Sequence, residues 1–428
     1  MLGMRFGLER MHRVLDELGH PERSPAIHVV GTNGKSSTTA MAAAILTEEG
    51  QRVGAYTSPH VTDWTERVAV DGVPVGIDQL AAALATVRDV ARVLPDDDPI
   101  TQFEALTAAA FVCFERAGAD VLVVEAGLGG RYDASNVLDD AVVVLTNVSL
   151  EHTELLGDTV AEIAGEKMAV AADGCDRLVI GNLDAEASEA VAAECASRNL
   201  SGWRVGTEIT AHRAGAGLEV RTPNGTTEPF PAPAGAGFVR DNAALAVGAV
   251  ERLLGRAVRA GSLTRAFAQA SVPGRLERVG EIDGTTVLLD GAHNAAGMEA
   301  LASVVPDVLP HGEPVAVVSV LADKDAGAMM AAIAPVCERV VATTSTHRRS
   351  ASAEYVAAHA RRAGVEAEAV EDPATAVARA ISLAGPGGQV LVCGSLYLLL
   401  DLRRGLVAAA AEAPATLARA RGRAAGTP

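Results

Sequence analysis

The strongest constraint on the fold is a repeated pattern: a short uninterrupted apolar run, then a polar residue, then a helix-forming stretch. Ile27–Val30 leads through glycines to Lys35, and Arg52–Thr57 leads to Ser58. Val121–Val124 ends at Glu125, and Ala141–Thr146 leads to Glu151 and His152. A second series follows, with runs at Thr286–Asp290, Val315–Val320, Arg339–Ala342 and Gln389–Cys393. Apolar runs that do not alternate with polar residues, and that are separated by helices, imply a parallel sheet covered on both faces. Ligands of such sheets gather beyond the carboxyl ends of the strands. The pattern therefore predicts that Lys35, Ser58, Glu125 and His152 converge from four strand ends.

Ala26–Ser37 (Ala-Ile-His-Val-Val-Gly-Thr-Asn-Gly-Lys-Ser-Ser) has the layout of a phosphate-binding loop. Backbone N–H groups of Gly31, Thr32, Asn33 and Gly34 at a helix N-terminus would face an anion, with Lys35 neutralising its charge. Glycine at positions 31 and 34 permits a backbone path and a phosphate approach that a Cβ obstructs. Ser36 or Ser37 supplies a hydroxyl to phosphate or Mg²⁺. The strict Walker spacing asks for glycine where Val29 stands, so the stretch alone also fits an ordinary strand–turn–helix corner.

At 428 residues the chain is long enough for two domains, each with its own core. We expect a first domain over residues 1–270 and a second, smaller one over residues 271–428. Within the first, residues 4–18 fit an amphipathic helix, Ile77–Leu94 a helix and Pro95–Pro99 a loop. Thr101 and Glu104 are spaced as a capping box. Residues 200–236, rich in Gly, Thr and Pro, read as a small β-rich insertion, and Phe238–Leu254 as a helix. The second domain has a helix from about Gly297 and a surface helix from Val407. No apolar stretch reaches the roughly 18 residues of a membrane span, and residues 1–13 lack a signal-peptide core. Five scattered cysteines without metal-ligand spacing fit a reduced, cytoplasmic protein. A net charge of −18 argues against general nucleic-acid binding.

Of 36 basic residues three are lysines (Lys35, Lys167 and Lys324), leaving 33 arginines. Arginine cannot replace lysine where a compact charge or a reactive amine is needed, which favours function for Lys35 and Lys167 over a coding bias. Glu125 and His152, with Ser58, can supply oxygen and nitrogen to a divalent cation; Mg²⁺ prefers oxygen, so the imidazole leaves Mn²⁺ open. The structural alternatives are a Glu125–Arg131 ion pair, a helix-capping His152, and an ion pair of Lys167 with Glu166 or Glu162. Asp323-Lys-Asp325 fits a solvated turn equally well.

The ordered motifs Gly31-Thr-Asn-Gly-Lys35, Thr57-Ser-Pro-His60, Phe103-Glu104, Glu125–Asn136, Glu151-His-Thr153, Gly165-Glu-Lys167, Pro273–Glu277, Asp290–Asn294 and Gly394–Tyr397 resemble the folylpolyglutamate synthase and dihydrofolate synthase family of the Mur ligase superfamily. The resemblance spans roughly residues 5 to 405. It implies an α/β fold, with a P-loop parallel-sheet ATPase domain followed by a Rossmann-like α/β domain. It implies ATP-dependent ligation of L-glutamate to a folate or dihydropteroate carboxylate through an acyl phosphate. Lys35, Lys167, Asp290 and His293 would be catalytic. Ser58, Glu125, His152 and Lys167 would hold Mg²⁺ or Mn²⁺, Lys167 as a carbamate. Asn242, Arg275 and Asp290 would join the loop in binding ATP. Phe103, Arg131 and Asp133 would receive the pterin, and His293 and Ser395 the glutamate. A monomer acting on small molecules is expected.

Two departures bear on the acceptor and on adenine. Gly237-Phe-Val-Arg-Asp241 lacks the family's His-Gln before Asn242, and Met168-Ala-Val170 replaces Ala-Gly-Ile after Lys167. A Mur-type ligase for a non-folate carboxylate and a nucleotide-binding regulator without catalysis are the alternatives.

Overall fold

The computed structural model describes residues 7–95, 98–215, 217–231 and 237–424. They form two compact units, the first ending at Ser271 and the second starting at Val272.

In the first unit, strands β1 (Ala26–Val30), β2 (Val53–Tyr56), β3 (Val68–Val70), β4 (Val73–Pro74), β5 (Val121–Glu125), β6 (Val142–Leu145), β7 (Leu178–Ile180) and β8 (Gly202–Arg204) build one sheet. Its order is β4-β3-β2-β5-β1-β6-β7-β8. The strands from β2 to β8 along that order run parallel, while β3 and β4 add an antiparallel hairpin at one edge. β1, β2, β5 and β6 are buried at every residue, as uninterrupted apolar runs require. β1 lies between β5 and β6, so the segments after Val30, Glu125 and Leu145 emerge side by side.

Helices α1 (Glu9–Leu18), α2 (Lys35–Glu48), α3 (Ile77–Val90), α4 (Gln102–Ala117), α5 (Thr153–Leu156), α6 (Val160–Met168), α7 (Ala185–Ser197), α8 (Phe238–Leu254) and α9 (Ser262–Gln269) cover the sheet. α2 packs on α8 and α9, and α4 on α1 and α3. The capping box at Thr101 and Glu104 is formed. α1 begins later than expected; residues 4–6 of that expectation lie outside the described residues, as do 96–97 of the Pro95–Pro99 loop. The β-rich insertion needs correcting. Its first strand, β8, completes the main sheet. Only β9 (Thr210–Ala214), β10 (Gly217–Thr222), β11 (Gly225–Thr226) and β12 (Phe230–Pro231) form a separate antiparallel sheet. Residues 232–236 lie outside the described residues.

The second unit contains β13 (Glu277–Ile282), β14 (Thr285–Leu289), β15 (Val315–Val318), β16 (Arg339–Ala342), β17 (Glu366–Ala369) and β18 (Gln389–Cys393), ordered β13-β14-β18-β15-β16-β17. All but β13 run parallel. The last strand inserts between β14 and β15, which makes this the point where strand order reverses and ligand crevices open. Helices α10 (Ala295–Val308), α11 (Ala326–Ile333), α12 (Ala353–Arg362), α13 (Pro373–Ala384) and α14 (Leu396–Ala424) complete it. The C-terminal helix thus starts directly after β18, eleven residues before Val407. Asn294 caps α10, so that helix starts before Gly297.

Candidate active site

Gly31 (φ 144°) and Gly34 (φ 84°) carry the loop from β1 into α2, both with positive φ. A Cβ on Gly31 would sit 1.9 Å from Thr146 Oγ1, and one on Gly34 would sit 2.6 Å from the Asn242 amide oxygen. The loop is pinned to the segment after β6. Thr32 N donates to Asn147 O (3.0 Å), Asn33 N to Asn147 Oδ1 (2.8 Å) and Thr146 Oγ1 to Asn33 O (2.6 Å). Asn242, buried on the second turn of α8, therefore lies against the phosphate loop.

Lys35 folds back so that Nζ donates to Gly31 O (2.9 Å) and Thr32 O (3.1 Å). Lys167, 1% exposed near the end of α6, reaches the same Gly31 oxygen at 3.0 Å and Glu151 Oε1 at 2.6 Å. Two side-chain nitrogens 132 positions apart thus share one carbonyl. Burial, with Lys35 as a second cation, lowers the Lys167 pKa, against the pull of Glu151. Burial alone would raise Glu151, but Lys167 and Lys35 outweigh it and hold that carboxyl well below its ordinary range. The alternative pairing of Lys167 with Glu166 or Glu162 does not form: Glu166 pairs with Arg131 (2.8 Å), and Glu162 accepts from Thr159 in a capping box.

Glu125, at the end of β5 and 1% exposed, accepts from Ser36 Oγ (2.9 Å) and from Ser58 N (3.0 Å). Arg131, half exposed, is engaged by Glu166, which replaces the Glu125–Arg131 pairing. His152 occupies the left-handed N-cap position of α5 (φ 45°), and its side chain makes no cap hydrogen bond. Among the described residues no group of three or more His, Cys, Asp and Glu side chains is gathered as a metal cluster. The donor chemistry nevertheless fits a hard divalent ion. A buried carboxylate has each oxygen fixed by a neutral donor, with the Ser36 and Ser58 hydroxyl-bearing residues beside it.

Phe103, in the first turn of α4, has its ring against Gly127, where a Cβ would come within 2.4 Å of it. Asp133, buried, accepts from Leu128 N (2.8 Å), Ser135 N (3.0 Å) and Ser135 Oγ (2.5 Å). Burial raises its pKa against those hydrogen bonds.

In the second unit, Asp290 follows β14 and accepts from Leu276 N (2.9 Å) and Ala292 N (2.8 Å). Burial raises its pKa, and Arg275 opposes the rise. The Arg275 guanidinium lies over Gly291, where a Cβ would meet it at 2.0 Å. His293 Nδ1 lies 2.9 Å from Gly291 O, and a carbonyl only accepts, so Nδ1 carries the proton. Ser395, 1% exposed, accepts from Tyr397 N (3.2 Å) at the start of α14. Asp325 caps α11 and Asp323 pairs with Arg349 at 3.4 Å, so this motif serves as a turn and cap.

Sequence reasoning gave Glu151 no role, although it is the partner of Lys167. Its place next to His152, after a strand, was the available signal.

The Mur ligase middle domain matches residues 29–230, and the Mur ligase glutamate ligase domain matches residues 274–396. The class defined by fold and site is thus that of the Mur ligases. The chain is 36% identical over 379 residues to the dihydrofolate synthase/folylpolyglutamate synthase of Mycobacterium tuberculosis, covering 82% of this chain and 76% of that protein. It is 32% identical over 424 residues to the Bacillus subtilis protein of that name, covering 94% and 96%. It belongs to the folylpolyglutamate synthase and dihydrofolate synthase family. The fold matches Mycobacterium tuberculosis folylpolyglutamate synthase complexed with ADP at a TM-score of 0.86, with 33% identity and 94% and 95% coverage. It matches Escherichia coli FolC in complex with DHPP and ADP at 0.85, with 30% identity and 95% and 94% coverage. A Yersinia pestis enzyme complexed with AMPPNP and Mn ion matches at 0.82, with 29% identity and 94% of each chain covered.

Proposed function

We propose that this chain joins L-glutamate to a folate or dihydropteroate carboxylate at the expense of ATP. The observation that carries this reading is the pairing of Lys35 and Lys167 on the Gly31 carbonyl, beside buried Glu125 and part-buried Glu151, in a chain of this family.

The loop amides and Lys35 would take the β- and γ-phosphates, Lys35 exchanging its bonds to Gly31 O and Thr32 O for phosphate oxygens. Asn242, against Gly34, would receive the adenine, and Arg275 would meet the nucleotide's phosphates. Glu125, Ser58 and His152 would hold a divalent cation, which supplies charge compensation as the acceptor carboxylate nears the γ-phosphate. Two unit charges at ~4 Å repel by about 4 kcal/mol at a surface-like dielectric, so cations there lower the barrier directly. Phe103, Arg131 and Asp133 would seat the pterin. Transfer of the γ-phosphoryl group gives an acyl phosphate and ADP. The glutamate amine then attacks the acyl carbon, phosphate leaves, and the amine loses a proton; Asp290, His293 and Ser395 would orient glutamate.

We also assign Lys167 as a carbamate in the working enzyme. Its lowered pKa favours the neutral amine that attacks CO₂, forming an N–C bond and releasing one proton to solvent. Glu151, held ionised, would then give up the ion pair. We place the enzyme in the cytoplasm as a monomer acting on small molecules. Among the described residues no helix is long and apolar enough to cross a membrane.

Purified protein given MgATP, L-glutamate and either dihydropteroate or tetrahydrofolate should release ADP only when all components are present. ADP release that ignores both pterins would remove the folate assignment.

A further inference from the structure

His28 sits in the middle of β1, three residues before Gly31, and is 1% exposed. Ile27 and Val29 belong to the core shared with α2 and α8, so His28 points to the opposite face of the sheet. An imidazole is an expensive choice for a buried strand that an apolar side chain would fill, unless its polar atoms are used. Here Nε2 lies 2.8 Å from Ser135 Oγ, and that hydroxyl lies 2.5 Å from Asp133 Oδ1.

The hydrogen atoms along this chain can be assigned. Asp133 also receives Leu128 N on Oδ2 and Ser135 N on Oδ1, so its carboxylate acts as the acceptor throughout. Ser135 has one hydroxyl hydrogen and gives it to Asp133, so the bond from His28 must be donated by Nε2–H. Burial drives the imidazole pKa down to about 4, so it stays neutral and the tautomer is fixed by Ser135.

We infer that His28 is a positioning residue for the acceptor: by donating to Ser135 it fixes Asp133, and so ties the acceptor-receiving segment 127–136 to the strand that carries the phosphate loop. This rests on the reading above that Asp133 and its neighbours receive the pterin. His28 touches no reacting atom in this scheme; it sets where the acceptor lies relative to the γ-phosphate.

The test is steady-state ADP release with dihydropteroate and MgATP varied separately. His28→Leu, which keeps bulk and loses the donor, should raise KM for dihydropteroate tenfold or more, while KM for ATP and kcat stay within about threefold. His28→Gln places an N–H near the Nε2 position and should recover most of the acceptor KM. Ser135→Ala should reproduce His28→Leu, and the double variant should be no worse than the weaker single one, as expected of one shared chain of bonds. If His28→Leu does not fold, Ser135→Ala and His28→Gln decide. An unmoved acceptor KM in Ser135→Ala, an equal rise in both KM values, or no recovery with glutamine overturns the inference. Wild-type protein that releases no ADP with either pterin overturns the ligase reading and this inference together; normal wild-type turnover with unchanged KM values in the variants overturns the inference alone.

Discussion

The carboxyl ends of the two parallel sheets are built from different materials. In the first unit, two lysines and two glutamates crowd around one glycine loop, Lys167 and Glu125 being almost wholly buried. In the second, buried Asp290 answers Arg275, part-buried Glu277 pairs with Arg403 at 2.8 Å, and His293 and the buried hydroxyls of Ser319 and Ser395 follow the strand ends. Removing an ion from water costs several kcal/mol, so a cluster of four is tolerable only when the charges compensate one another. Such a cluster suits a polyanion arriving with its cation. The second end, with Asp290 as its buried carboxylate, would suit a small zwitterion under the function proposed above. Under that function, chemistry would fall to the first sheet and positioning to the second.

Lys167→Ala should expose the division most sharply. We expect kcat for acceptor-dependent ADP release to fall about 10³-fold, roughly 4 kcal/mol of barrier. Bicarbonate should not restore it, and acetate should restore part by standing in for the carbamate. Unchanged turnover would leave Lys167 as a mere counter-ion for Glu151.

Acid stability tests the first unit from another side. The folded imidazole of His28 resists protonation down to about pH 4, whereas the unfolded one protonates near 6.5. A depressed folded pKa on a base means full stability above pH 6.5, lost progressively as pH falls to about 4 and level below. The loss amounts to about 3 kcal/mol at most. Denaturant unfolding across that window should show it, and His28→Gln should flatten it; identical profiles would mean that the imidazole titrates alike in the folded and unfolded chains.

Glu125→Gln should lower turnover about 10²-fold and raise the Mg²⁺ concentration needed for half-maximal rate. An unaltered Mg²⁺ requirement would remove Glu125 from the metal site. His293→Ala belongs to the other side of the contrast. The glutamate KM should rise about tenfold with the ATP KM within twofold, and an equal rise in both would erase the proposed division of labour. The smallest effect is Arg131→Ala. Its pair with Glu166 is half exposed, so stability should change by less than about 1 kcal/mol in thermal unfolding.

Much of this was legible from the chain. Buried parallel strands declare themselves as unbroken apolar runs, and glycine placement revealed the loop. Strands at sheet edges did not. β17 reads Glu-Ala-Glu-Ala, and β13 is only partly buried with charged residues along it, because an edge strand with one solvated face needs no apolar run. β3 and β4 are too short to show a period. The site followed the same logic. Local spacing offered Glu162 and Glu166 to Lys167, whereas the fold turns its amine toward Gly31 and Glu151, and sequence distance carries no trace of that choice. His28 was visible as a residue but its partner Ser135 lies 107 positions away.

Gly130 has one more implication. A Cβ there would press on the carbonyl oxygens of Glu166 and Lys167 at 2.6 and 2.7 Å, because the bare backbone of this segment lies flat on α6. Any attempt to retailor the chain for a bulkier or differently shaped carboxylic acid must leave that point unpadded, since thickening it would press on the helix that carries Lys167. The exposed rim at Tyr132 stands above a floor that this segment shares with the helix carrying Lys167.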